Sequence, residues 1–158
     1  MQSVFDTLNS VGGIYVAMFV VAVISGVFPL VNSELALVAL ARTVDSWPKL
    51  IVVGVIVALG QTVTHATLFE SARSLTKLGE KRRQRFEARI ARAREVVNKW
   101  QTSELLLLAS AATVGLPPMM LVAVVGGALG IRFRTFVLIG LTGRVARFTT
   151  IVILAHVV

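Results

Sequence analysis

Four long apolar blocks, two of them cut by proline, leave this chain few ways to fold. The first block, Ile14 to Ala41, is broken at Phe28-Pro29. Its arms, Ile14–Phe28 and Leu30–Ala41, would be roughly 22 and 18 Å long as helices at about 1.5 Å per residue. A hydrocarbon core is about 30 Å thick, so neither arm crosses it alone. The second block, Leu50 to Phe69, has 20 residues and is long enough to span. Trp47 and Lys49 flank one end and Glu70 and Arg73 the other, as interfacial anchors do. The third block, Glu104 to Ile131, repeats the plan of the first: Leu116-Pro117-Pro118 leaves two arms of 13 residues. The fourth, Phe136 to Ala155, again has 20 residues and spans.

The 158 residues are 56% hydrophobic and 15% charged, with a mean hydropathy of +0.82. A soluble domain of this size cannot hide so much apolar surface. The fold expected is an all-α integral membrane protein, a single membrane domain over 1–158. It comprises two repeats of a re-entrant hairpin plus a transmembrane helix, joined by a basic amphipathic cytoplasmic helix. Repeat 1 covers 14–70 (hairpin 14–41, span 50–69), the linker 71–103, and repeat 2 104–157 (hairpin 104–131, span 136–155). Interrupted apolar segments at matching positions of two halves point to a substrate site at the repeat interface. The start of the chain carries only Asp6 before the apolar run and no small-residue cleavage site. The first segment is therefore expected to remain in the mature protein.

The formal net charge is +8, and Ser71 to Ser103 holds most of it, with ten Lys/Arg and three Glu. Within that linker Phe86, Ile90, Ala93, Val97 and Trp100 follow a helical stripe, while Arg82, Arg85, Arg89 and Arg92 lie on other faces. Such a helix lies in a headgroup layer against anionic lipid, or else stands solvated in the cytoplasm. Its charge places it on the cytoplasmic side, which puts both termini on the opposite face. A basic balance confined to one membrane-flanking linker argues for lipid rather than nucleic acid as its partner.

The chemistry-bearing residues are few. Arg144 and Arg147 stand at i and i+3 in the middle of the fourth block, on one helix face. Arginine at mid-bilayer depth costs about 2.5–3.5 kcal/mol, so the pair requires a carboxylate or an anion. Glu34, just past the first break, is a candidate partner for Arg144. It is equally a candidate proton carrier, being a poorly solvated carboxylate. One carboxylate does not balance two guanidiniums, and arginine matches phosphate geometry, which favours an anion site. Asn32 and Ser33 are placed to satisfy backbone groups freed at Pro29. Gly60, Gln61, Thr62, Thr64 and His65 cluster in the second block, with His65 either a proton relay or headgroup ligand, or a helix–helix contact. Gly126, Gly127 and Gly130 are expected to permit close helix approach, and Gly140 and Gly143 do the same beside the arginines. No nucleophile–base pair, metal-ligand cluster or phosphate-binding glycine loop is present, and there is no cysteine. No catalytic residue, cofactor or metal is expected.

Phe28-Pro29 followed by Ser33-Glu34 resembles the first re-entrant motif of the DedA, or VTT-domain, superfamily of bacterial membrane proteins, related to the SNARE-associated Golgi proteins. Gly60 through Phe69-Glu70-Ser71-Ala72-Arg73 is similar to that family's glycine-rich span. Gly143-Arg144 with Arg147 is similar to its small YqaA-like branch. The stretch Thr113 to Met120 lacks the family's two arginines, Ala72 stands where glycine is usual, and His65 stands near a commonly acidic position. The resemblance implies a multi-pass protein of the bacterial inner membrane that moves a phosphate-bearing lipid, undecaprenyl phosphate or phospholipid, with proton or sodium coupling. Glu34, His65, Arg144 and Arg147 would then bind or couple, with breaks at Pro29, Pro117 and Pro118. A membrane scaffold without transport, docking anionic lipid or a partner protein through the basic helix, is the alternative. A membrane enzyme acting on lipid phosphates would need the missing nucleophile. A homo-oligomer is compatible with either of the first two readings.

Overall fold

The computed structural model describes residues 11–28, 31–75, 91, 95 and 104–157. Pro29 and the linker residues Arg82, Arg85, Arg89 and Arg92 lie outside these, as does nearly all of the basic linker helix. The described residues form six principal helices and no strand. They are α1 (Val11–Ser25), α2 (Ser33–Ala41), α3 (Trp47–Leu75), α4 (Glu104–Thr113), α5 (Met119–Leu129) and α6 (Phe133–Val157). Among the described residues only α3 and α6 are long and apolar enough to cross a membrane. At 15, 9, 10 and 11 residues, α1, α2, α4 and α5 are at most about 22 Å long.

Local chemistry explains most boundaries. α3 begins earlier than the apolar run because Pro48 sits in its first turn, where a missing N–H costs nothing. Ser46 accepts from the Leu50 amide and opens the helix. At its other end, α3 runs past Phe69 to Leu75, helped by a Glu70–Arg73 pair at i and i+3. α1 stops at Ser25, short of the expected Phe28, as Gly26 and Val27 turn back onto the carbonyls of Ala22 and Ile24. α2 starts at Ser33 rather than Leu30, because Asn32 takes an extended conformation and its side chain caps the helix. Pro118, which has no amide hydrogen, stands at the head of α5.

The chain divides into two compact units. One contains α1, α2, α3 up to Thr64, and α6 from Arg144 onward. The other runs from His65 to Gly143 and holds the rest of α3, α4, α5 and the start of α6. Each unit thus pairs one helical hairpin with parts of both long helices.

In the first unit α1 and α2 pack on each other, and their outer ends, Tyr15 and Leu40, line one cleft with Lys49 of α3. The hairpin therefore opens and closes at the same end of α3. Its tip lies well along that helix: a Cβ on Gly26 would come within 2.8 Å of the Thr64 side chain. Gly60 lets α1 approach as closely, facing Ala22 Cβ at 2.8 Å and the Phe19 carbonyl at 2.9 Å.

In the second unit the hairpin closes on an aromatic core. Phe69 stacks on Phe136 at 4.6 Å and tilts against Phe133, with Leu108, Val122 and Ala123 packed around them. The tip of α4 meets the middle of α6, where Ala112 Cβ lies 2.6 Å from a Cβ built on Gly143. Gly126 and Gly127 do allow the close approach expected of them, both against Phe69. Gly130 serves another purpose. With φ of 77° it ends α5, its amide reaching Gly127 and the Ile131 amide reaching Gly126, which satisfies the last carbonyls.

These glycines differ in what a methyl group would do. At Gly127 the nearest atoms are backbone atoms of Phe69, its carbonyl oxygen first, so neither element can yield cheaply. Gly127→Ala should cost about 1–3 kcal/mol through overpacking. Gly130→Ala meets no atoms and should cost about 1 kcal/mol from the left-handed backbone alone. Gly54→Ala, in ordinary contact with Phe148, should be close to neutral. Thermal midpoints of the three variants in one detergent should fall in that order, and a tolerated Gly127→Ala would contradict the α3–α5 packing.

Candidate functional site

The polar residues of the first unit converge on the tip of its hairpin. Asn32 Oδ1 accepts from the Glu34 amide at 2.9 Å and the Leu35 amide at 3.4 Å, so two of the orphan donors of α2 are satisfied. That cap sets Glu34 in the first turn of α2, where the positive end of the helix dipole favours a carboxylate. The backbone groups that Asn32 satisfies are therefore the first amides of α2, and those at Pro29 lie outside the described residues.

Ser33 has a different task. It is 2% exposed and its Oγ accepts from Gln61 Nε2 at 2.9 Å. The same nitrogen donates to Ser25 Oγ at 3.1 Å, and Ser25 passes its own hydrogen to the Ala22 carbonyl. An amide nitrogen carries two hydrogens, so one side chain on α3 holds the last residue of α1 and the first of α2. Thr64, one turn on, donates to the Val23 carbonyl at 3.0 Å. Sequence alone marks Gln61, Thr62 and Thr64 as a polar cluster but assigns them no partners, since Ser25 and Ser33 lie 36 and 28 residues away.

The two arginines of α6 do different things. Arg144 is 3% exposed and donates through Nη1 to Thr62 Oγ1 at 3.3 Å. Thr62 spends its own hydrogen on the Ala58 carbonyl at 2.6 Å, leaving lone pairs for the guanidinium. Arg147, nearly one turn further, reaches α2 and pairs with Glu34, Nη2 to Oε1 at 2.5 Å. The side chains of this pair are 25% and 33% exposed. Glu34 therefore meets Arg147, not Arg144 as the sequence suggested. The reason is rotational: residues three apart on a helix are offset by about 60° around it, since each residue turns about 100°. Arg144 consequently faces α3 while Arg147 faces the start of α2.

The other sequence candidates fall elsewhere. His65 is buried on α3 at 5% exposure and belongs to the second unit. Pro117 and Pro118 join α4 to α5 in that same unit and shape its hairpin. No group of three or more His, Cys, Asp or Glu suited to a metal occurs among the described residues.

What the first unit offers chemically is a guanidinium with strong hydrogen-bonding capacity beneath a second one held by a single, half-exposed carboxylate. Exchange of that carboxylate for another anion would turn the planar fork of Arg147 to the newcomer, a geometry suited to oxyanions. No family model matches the chain, and no curated protein or solved structure matches it either.

Proposed function

We propose that this chain is a multi-pass membrane protein of the DedA type that moves a phosphate-bearing lipid across the bacterial inner membrane. The observation that carries the reading is a pair of arginines, Arg144 and Arg147, on a long apolar helix, the outer one held by an ion pair with the partly exposed Glu34. A phosphate headgroup takes the place of the carboxylate and enters as Glu34 releases Arg147. Acyl or prenyl tails remain in hydrocarbon, so only the headgroup needs a polar path. Protonation of Glu34 or cation binding to it is the coupling step.

Membrane residence is supported by α3 and α6, and by the large apolar side chains that α1, α2 and α4 leave exposed. Val16, Leu35 and Leu106 are each more than 60% exposed. Short helices whose tips stop at Thr64 and Gly143, well inside the long ones, support re-entrant hairpins. The basic linker faces the cytoplasm in this arrangement, docked on anionic headgroups.

A scaffold reading draws on the closed state of the same contacts. Glu34–Arg147 and the Gln61 fork lock α1, α2, α3 and α6 within one unit, which is what a protein without transport requires.

Topology provides the first check. The chain has no cysteine, so Thr43→Cys and Ser74→Cys, at exposed sites bracketing α3, report cleanly. An impermeant thiol reagent should label position 43 on intact cells and position 74 only after permeabilisation. Labelling of both from one side would end the spanning assignment of α3.

Charge variants separate transport from scaffold. Arg147→Gln and Arg144→Lys should remain folded and lower translocation of phosphate lipids in proteoliposomes by about tenfold or more. That is the loss expected for a charge-assisted hydrogen bond contributing about 1.5–3 kcal/mol. If the pair is only structural, Glu34→Gln should cut folded yield and Glu34→Gln with Arg147→Gln should restore it. Normal translocation by well-folded Arg147→Gln and Arg144→Lys proteins would remove the phosphate site.

A further inference from the structure

At the end of the first unit opposite the hairpin tip, the chain forms a cleft of about 80 Å³. Ile14 of α1, Leu40 of α2, Val44 of the connecting segment, and Leu50 and Val53 of α3 make its walls. Leu50 and Val53 are 1% and 2% exposed, so they form its floor. Two polar groups line it as well: Tyr15 and the exposed Lys49. The segment from α2 to α3 adds Arg42 and Asp45, both exposed, so the nearby charge is positive on balance.

The occupant follows from this mixture. Water needs several polar partners, which five aliphatic walls do not provide. A free phosphate ion gains nothing from those walls, and a hydrocarbon gains nothing from the ammonium. Only an anionic amphiphile uses both. The surroundings carry the residues that favour a membrane–water boundary. Trp47, 38% exposed, meets His156 edge-on at 4.5 Å, and His156 Nδ1 donates to the Ala41 carbonyl at the end of α2. Tyr15, Arg42, Trp47, Lys49 and His156 thus mark the depth at which a lipid headgroup meets its chains.

We propose that this cleft binds an anionic glycerophospholipid, one acyl chain seated between α1, α2 and α3 and its phosphate against Lys49 and the Tyr15 hydroxyl. The proposal rests on the membrane reading above but not on transport, because the site shares no residue with Glu34, Arg144 or Arg147. A bound lipid here would tie the two outer ends of the first hairpin to α3 at the end where no polar fork holds them.

Trp47 is the natural reporter, two residues before Lys49, and Trp100 is the other tryptophan. The full chain with Trp100→Phe is reconstituted in phosphatidylcholine vesicles and titrated with brominated phosphatidylglycerol or brominated phosphatidylcholine. Half-maximal quenching should need roughly fivefold less of the anionic lipid, the preference one basic residue confers at such a surface. Lys49→Gln, an exposed change, should bring the two titrations together, and Val53→Phe should remove the high-affinity component by filling the cleft. Identical titrations of the Trp100→Phe protein, or an anionic preference that survives Lys49→Gln, would overturn the site while leaving the membrane reading intact. Absence of quenching by either lipid would overturn the membrane reading and the site together.

Discussion

A helical hairpin that ends partway along a longer helix must find internal partners for the polar groups at its tip. In the first unit Gln61 meets that requirement with one side chain. Its amide joins Ser25 to Ser33, so the end of α1 and the start of α2 cannot separate without breaking one of its bonds. Thr64 adds a bond to the Val23 carbonyl, and Gly60 and Gly26 supply the close approach that makes both contacts reachable. The cap by Asn32 depends on the same placement, and through it so does the position of Glu34.

The second unit solves the same problem by packing. Its hairpin rests on Phe69, stacked on Phe136 and pressed against Gly126 and Gly127, and on the contact of Ala112 with Gly143. Pro117 and Pro118 remove two backbone donors from the turn, and Gly130 turns the final amides of α5 inward. Where the first hairpin is held by hydrogen bonds, the second is held by shape. The proposed chemistry lies with the polar unit, since exchangeable hydrogen bonds and ion pairs can be redirected and a close-packed aromatic core cannot.

Within the polar unit charge is divided by depth. Arg144 is buried on Thr62, a neutral acceptor already oriented by its bond to Ala58. Arg147 is nearer the surface and takes the carboxylate. Removing one member of a buried charged pair costs more than removing both, whereas a half-exposed pair exchanges partners more readily. In the proposed function Arg147–Glu34 is therefore the contact that opens, with Arg144 as the fixed charge beneath it.

The sequence by itself determined the helical class, the two long apolar helices, the two interrupted hairpins, and the arginine pair on one of the long helices. These follow from local rules: block length, proline position and the helical offset of i and i+3. The block rule begins the second arm at Leu30, whereas the Asn32 cap starts α2 at Ser33. Tertiary structure decided the rest. That Glu34 meets Arg147 depends on the rotation of α6 against α2, more than a hundred residues apart in the chain. Gln61 and Thr62 acquire their partners only when α3 packs against the hairpin and α6. Gly127 and Gly130, three residues apart and alike in composition, separate into a packing contact and a helix terminus because one faces Phe69 and the other faces open space. Periodicity tells which residues share a face, and only the packing of one helix on another tells what that face meets.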